Sequence, residues 1–369
     1  MILLLHNRYR HAGGEERALQ DIAWLVREHL REDCEVLERD SAALGRSRAA
    51  AALLAGGLQP EDVGAAVRRT GARVVHAHNT NPAFGWRALA AARDAGARVV
   101  LHLHNYRLVC AVGTCVNSRG QDCLRCQGRD TLPGVALRCR GSTAESLTYA
   151  ATLAAWQRRL VAQADALVVP SPAALDRLRA LRAPVGGLPV HVVPAVLRSF
   201  ARASRAAEGE HALVVSRLAP EKGVDVALEA CARAGLPLVV CGTGPLEDRL
   251  RAVAPAGTTF AGHVDDATLA DLRRRARVAV VPSLAAETFG LSAVEAMADG
   301  VPVAATASGA LRDLAPEAEL AAPGDAGALA RAVARVAGDE RRGAAGIAAA
   351  RRRCAPEVVA PLMAAAYDG

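Results

Sequence analysis

Glu287-Thr-Phe-Gly-Leu-Ser-Ala-Val-Glu295 places two acids around a glycine. It lies between the strand-like run Val278 to Ser283 and an apolar helix with an AVEAMA core that stops at Gly300-Val301-Pro302. Strand, loop and helix in that order aim the free backbone N–H groups around Gly290 and Leu291, with the positive end of the helix dipole, beyond the strand's carboxyl end. An anion is the natural guest. Glu287 sits on the loop, within reach of a ligand, while Glu295 lies one to two turns into the helix, where a carboxylate can accept two hydrogen bonds from a diol. One anion site flanked by two hydroxyl-binding acids suggests a nucleotide sugar. Two surface acids near a helix N-terminus, where acids are favoured anyway, is the competing reading.

Working outward, Ala212 to Ser216 reads as a strand, and the loop after it carries Arg217 and Lys222 before Lys222-Gly223 opens a helix. Two cations at one strand end can clamp a diphosphate and lower the cost of charge on a departing nucleotide. Leu238 to Cys241 gives another strand, ending in Gly242-Thr-Gly244-Pro245, which lacks the spacing and later acid of a dinucleotide fingerprint.

The N-terminal half repeats the pattern. Ile2 to His6 is a short buried strand, and Gly13-Gly14-Glu15-Glu16 leads into an amphipathic run from Arg17 to Leu30, a turn that invites a phosphate or simply makes a tight corner. Strands at Cys34 to Arg39, Arg73 to His78 and Arg98 to His104 alternate with helices, which is the doubly wound α/β pattern with a mostly parallel sheet. Period two puts His76 with His78 on one face and His102 with His104 on one face. His104, at a strand's carboxyl end, is placed to meet a ligand. His76 and His102 are expected to be packing histidines.

The chain has 369 residues, 51% of them hydrophobic, enough for two domains with substantial cores. MILLL at the start has no basic n-region, and no apolar run approaches about eighteen residues, so a cytoplasmic enzyme is expected. The formal charge of +7 is carried almost wholly by arginines spread over helices, which fits an acidic ligand, a membrane face or nucleic acid. Aromatic residues make up only 3% and do not interleave with basic ones, which disfavours nucleic acid.

AETFGLSAVEAMADGVPVAATASGALRDL and VSRLAPEKG (Val215 to Gly223) resemble, respectively, the two-acid signature and the donor-phosphate motif of the retaining GT-B glycosyltransferases of family 4. The resemblance implies two Rossmann-like domains facing across a cleft, with a nucleotide-sugar donor, a UDP-sugar by preference, and a small-molecule, lipid-linked or glycan acceptor. It assigns Arg217, Lys222, Gly13, Gly14, Gly290 and Leu291 to the donor diphosphate, and Glu295 to the ribose. His263 and Val264 go to the base, and Glu287 and His104 to the sugar as the catalytic pair, His104-Asn105 matching the family's His-Asp or His-Asn. Pro194-Ala195-Val196 departs from the family's Pro-Asn-Gly. No Asp-x-Asp stands in a phosphate loop, so donor binding is expected to need no metal. Same-face attack, with the leaving phosphate helping to remove the acceptor's proton, is the implied mechanism. Peripheral membrane contact fits the charge. Two rivals stay open: an epimerase or phosphorylase of the same fold, and a basic zinc-containing protein binding nucleic acid or membrane.

Expected boundaries are residues 1–199 for the first domain, 200–211 for a linker and 212–355 for the second domain. A helix from Pro356 then crosses back onto the first. An insertion at about 106–141 carries Cys110, Cys123, Cys126 and Cys139, spaced C-x12-C-x2-C-x12-C, with Cys115 as a fifth thiol in turn-rich sequence. A C-x2-C knuckle with two further cysteines is how thiolates surround tetrahedral zinc, and disulfides or reduced thiols are the alternatives. A cysteine-rich insertion after the His-Asn strand also occurs in part of the resembled family. Cys34, Cys231, Cys241 and Cys354 stand singly and read as buried, inert thiols.

Overall fold

The computed structural model describes residues 1–8, 14–118 and 120–369. They form two compact units. Unit 1 takes the described residues from Met1 to Val196, apart from Gly120–Asp122, together with Pro356–Gly369; unit 2 takes Leu197–Ala355 with Gly120–Asp122.

Unit 1 runs β1 (Ile2–Arg8), α1 (Gly14–Glu28), β2 (Cys34–Asp40), α2 (Arg46–Ala55), α3 (Glu61–Thr70), β3 (Val74–Ala77), α4 (Gly85–Asp94), β4 (Arg98–His102), α5 (Leu132–Ala136), α6 (Thr143–Ala162), β5 (Ala166–Val169), α7 (Pro172–Ala180) and β6 (Val190–Val192). Its six strands are parallel in the order β2-β1-β3-β4-β5-β6. Alternation sends Ile2 and Leu4 to one face, where they pack with Val74, Val100 and the inner residues of α1. Two helices of this unit start on serine caps. Ser142 Oγ accepts from Glu145 N–H at 3.2 Å, and Ser171 Oγ accepts from Ala174 N–H at 3.0 Å, with Pro172 in the first turn of α7.

Unit 2 runs β7 (His211–Val215), α8 (Val224–Arg233), β8 (Leu238–Cys241), α9 (Glu247–Val253), β9 (Thr258–Gly262), α10 (Asp266–Arg274), β10 (Ala276–Val281), α11 (Leu291–Ala298), β11 (Val303–Thr306), β12 (Glu319–Ala321), α12 (Ala326–Val336) and α13 (Glu340–Cys354). Its parallel order is β12-β11-β10-β7-β8-β9. β10 is buried on both faces: Ala279 and Val281 join a cluster with α11 and α13, while Val278 and Val280 join one with α8 and α12. A strand covered on both sides reads as a continuous apolar run, and VAVVPS is one.

α14 (Pro356–Asp368) belongs to unit 1, where Val359, Met363, Ala366 and Tyr367 are buried in the cluster of β1 and α1. The expected linker is different. Unit 2 begins at Leu197, whose N–H donates to Cys354 O at 2.9 Å. Residues 200–211 pack within it: Phe200 lies on its core, Ser204 Oγ donates to Gly300 O at 2.6 Å, and Ala206 is buried. The segment lacked periodicity because it is held by backbone carbonyls rather than by one apolar face.

Candidate functional site

Open α/β sheets bind ligands beyond the carboxyl ends of their strands, where the strand order reverses. In unit 2 the reversal falls between β7 and β10. The loop after β7 turns through Pro220–Lys222 into Gly223, whose φ of +61° only glycine adopts readily and whose Cβ, were there one, would stand 2.3 Å from Pro282 O. Glu221 O in turn accepts from Leu284 and Ala285 N–H at 2.9 and 3.1 Å, which stitches this loop to the one after β10.

Lys222 Nζ therefore lies 2.6 Å from Glu287 Oε1, and Ser283 Oγ donates to the same oxygen. Burial alone would push the Glu287 carboxyl up; the Lys222 charge, with hydrogen bonds from Lys222 and Ser283, outweighs it and holds the group below its ordinary value. The backbone of Glu287 is fixed as well. It bridges to Gly309, at φ +56°, and accepts from Ala310 N–H at 2.9 Å. Gly290, at φ +84°, then starts α11 at Leu291, leaving first-turn N–H groups at the helix N-terminus beside the acid loop.

Glu295 is engaged by Arg273, a residue only 8% exposed whose guanidinium also lies 3.4 Å from Asp299. A carboxylate offers about four lone-pair sites, so this contact does not exhaust it. Arg217 is half-exposed and pairs with Glu221 one turn on. His263 is exposed just past β9, whereas Val264 packs against the core of unit 2. Of the residues read for this half-site, the fold thus brings Lys222 onto Glu287 and sets Gly290 and Leu291 beside it. Arg217 and Glu295 are each tied to a partner that sequence reasoning missed. Arg273 carried no signal, being one of three consecutive arginines in a polar helix. Ser283 and Gly309 lie within or beside the quoted motif but needed the loop geometry to gain roles.

In unit 1 the strand order reverses between β1 and β3, and there Asn7 N–H donates to Asn79 O at 2.9 Å while Asn79 Nδ2 donates to Asn7 O at 2.6 Å. His104 lies two residues past β4, 2.7 Å (Nε2) from His78 Nδ1 and stacked on His102 with ring centroids 3.8 Å apart. Burial lowers its proton affinity, partly offset by Glu15 and Glu16. Asn105 Nδ2 donates to Glu15 Oε1 at 2.8 Å, tying the His-Asn pair to the start of α1. Gly14 opens that helix; Gly13 lies outside the described residues. His76 and His102 are buried; His76 Nδ1 lies 2.9 Å from the Tyr367 hydroxyl, whereas neither ring nitrogen of His102 has a hydrogen-bond partner.

The cysteine segment spans the forty residues from Leu103 to Ser142, and among its described residues only α5 is helix or strand. All nine cysteines are free thiols. Cys110 is held below its ordinary value by a hydrogen bond with Cys115 and by backbone N–H donors from Cys115, Gly113 and Val112, against the effect of burial. Cys126 lies within electrostatic range of Cys110, Cys123 and Cys139. Among the described residues, the three ligand atoms found within 4.8 Å of one another belong instead to His76, His78 and His102. No helix among the described residues is long and apolar enough to cross a membrane.

Comparison with known proteins supplies the class. Residues 12–195 match the glycosyl transferase 4-like domain and residues 198–353 the glycosyl transferases group 1 family. The GDP-mannose-dependent alpha-mannosyltransferase of Mycolicibacterium smegmatis is 36% identical over 167 residues, 43% of this chain and 44% of that protein. The chain's match thus spans less than half the length of this curated relative. Among solved structures, sucrose-phosphate synthase from Thermosynechococcus elongatus superposes with a TM-score of 0.70 at 19% identity, covering 99% of this chain and 98% of that one. Anabaena HepE, in complex with UDP and glucose, gives 0.61 at 19% identity, with 99% and 98% covered. These neighbours share the GT-B fold of two Rossmann-like units. Matched along both units by models of one enzyme class, the chain belongs to the group 1 glycosyltransferases.

Proposed function

We propose that this chain transfers a hexosyl group from a nucleotide sugar to an acceptor hydroxyl with retention of anomeric configuration. The contact of Lys222 with Glu287 at the β7/β10 reversal carries this reading. In the absence of donor, two cations and two acids neutralise one another there, Lys222 with Glu287 and Arg217 with Glu221. A diphosphate competes for both cations and for the N–H groups at the start of α11. As the bond between the anomeric carbon and the phosphate oxygen breaks, its electron pair stays on the diphosphate, and these groups stabilise that charge. The acceptor oxygen forms the new bond on the same face, and its proton passes to the departing phosphate oxygen. Glu287 orients sugar hydroxyls, Glu295 takes the ribose diol, and His104 contacts the sugar. His263 and the backbone at Val264 meet the base.

A UDP-sugar is the first choice, the Anabaena neighbour having been solved with UDP and glucose, and the mycobacterial relative's name makes GDP-mannose the competitor. A thermal-shift screen of UDP- and GDP-sugars decides between them. NMR of the product's anomeric configuration then tests the chemistry: inversion overturns the mechanism. Glu287→Ala should lower kcat more than donor affinity, and Glu295→Ala should do the reverse. Donor binding is expected to be unaffected by EDTA.

The same reading gives the cysteine loops a structural role. Cys110, Cys123, Cys126 and Cys139 would hold zinc as four thiolates, stabilising a forty-residue segment that has little regular structure of its own.

A further inference from the structure

The backbone pairing of β10 with β11 ends at Val281 opposite Ala305, and the next residue after Val281 is Pro282, which has no N–H with which to continue it. Side-chain hydroxyls take over. Thr306 Oγ1 donates to Ser283 O at 2.6 Å, Ser308 Oγ donates to Ala285 O, and Ala310 N–H donates to Glu287 O at 2.9 Å. Every second residue from Thr306 thus holds every second residue from Ser283, ending on Glu287. Thr306, Ser308 and Ser283 are all buried.

The acid loop also folds back on itself. Ser283 Oγ donates to Glu287 Oε1, the same oxygen that Lys222 Nζ contacts at 2.6 Å. Both protein donors therefore meet one oxygen. Oε2 has no hydrogen-bond partner among the described residues, and it is not sealed off, since the Glu287 side chain keeps 16% of its surface open. This is the oxygen that a ligand hydroxyl can reach.

The two donors to Oε1 differ in how freely they can leave. Lys222 reaches the acid on a flexible four-carbon stem, and its side chain is 29% exposed. Ser283 is 2% exposed, its side chain is short, and its carbonyl is pinned by Thr306. A diphosphate can draw off the ammonium, and the serine stays where it is.

We infer that Ser283, held by Thr306, is the positioning residue that keeps Glu287 aimed when the donor diphosphate takes Lys222, so that Oε2 is presented to the sugar throughout. The departure of Lys222 and the presence of the sugar rest on the proposed function; the hold of Ser283 on Glu287 does not.

A melting comparison tests the hold without any ligand, with Lys222→Met standing in for the departed lysine. Ser283→Ala should lower the melting temperature at least about twice as far in the Lys222→Met background as in otherwise wild-type protein, because the last donor to a largely buried carboxylate is then lost. Adding Glu287→Ala to both backgrounds should remove the difference. Equal losses with Glu287 in place overturn the inference, whatever the donor does.

Turnover by single variants tests the consequence. With UDP-glucose or GDP-mannose as donor and water in the acceptor's place, release of UDP or GDP gives kcat and KM. Ser283→Ala and Thr306→Val should each lower kcat about tenfold or more while KM stays within about twofold. Thr306→Ser, which restores the hydroxyl, should recover most of kcat. A change in KM alone, or a Thr306→Ser variant no better than Thr306→Val, overturns the inference. Wild-type protein that neither binds nor turns over either donor defeats the proposed function, and the melting comparison then decides by itself whether Ser283 holds Glu287.

Discussion

Lys222 Nζ and Glu287 Oε1 are 2.6 Å apart although sixty-five positions separate them in sequence, because the loops after β7 and β10 are joined through Glu221 O. The pair has a pH signature. Since the Glu287 carboxyl is held below its ordinary value, it contributes stability at pH above the unfolded carboxyl range, about 4.3, and loses that contribution as pH falls through the folded value. Lys222→Met leaves a largely buried carboxylate without its cation, which should cost about 2 kcal/mol at pH 7. Denaturant unfolding of the two proteins should show the gap narrowing as the pH falls toward 4. A gap that widens on acidification would contradict the pairing.

Glu295 has two jobs if it also binds the ribose. Glu295→Ala leaves Arg273 buried with only the longer contact to Asp299, and a loss of about 2 kcal/mol is expected. The ligand effect separates from the stability effect by choice of nucleotide. Wild-type protein should bind UDP at least about fivefold more tightly than 2′,3′-dideoxy-UDP, the scale of a diol hydrogen-bonded to a carboxylate, while Glu295→Ala should bind the two alike. Equal discrimination by both proteins would confine Glu295 to its contact with Arg273.

Gly309 governs where Glu287 sits. A Cβ there would lie 2.3 Å from Glu287 O and 2.5 Å from its N, in backbone at φ +56°. Gly309→Ala should therefore cost more than about 3 kcal/mol, combining a backbone conformation (φ +56°, ψ −131°) that is confined to glycine with a backbone clash. Gly71→Ala is the control, since Gly71 has φ +64° and open space around its Cβ position; about 1 kcal/mol is expected from the conformation alone. Thermal melts of the two variants compare them directly, and similar losses would show that the Gly309 clash relaxes freely.

These relationships mark how far the sequence could be read. The alternation of apolar runs with amphipathic segments was enough for two doubly wound units, and Ser142 and Ser171 announced their helix starts. The motif around Glu287 and the loop of Lys222 were each legible, but their contact was not, because sheet order decides which strand ends are neighbours. Arg273 was invisible for a related reason: in Arg273-Arg274-Arg275 only tertiary packing selects which guanidinium is buried against Glu295. The contact of Trp86 with Trp156 was missed as well. Trp86 and Trp156 lie seventy positions apart on separate helices, and nothing local links them.

The proposed zinc makes the last prediction. Among the described residues from Leu103 to Ser142 there is one five-residue helix, and so long a segment with little regular structure is one that a bound metal would stabilise. The backbone donors around Cys110 suit a thiolate ligand. Bound zinc would draw four sulfurs to about 2.3 Å from one centre. Protein purified without a histidine tag should carry close to one equivalent of zinc, and a strong chelator should lower the melting temperature without weakening nucleotide binding. Cys126→Ser should lose the metal and melt earlier, whereas Cys231→Ser, a buried thiol in α8 away from the segment, should keep it. Less than about a tenth of an equivalent of any metal in freshly purified protein would remove the site, since a four-thiolate centre binds too tightly to be lost in purification.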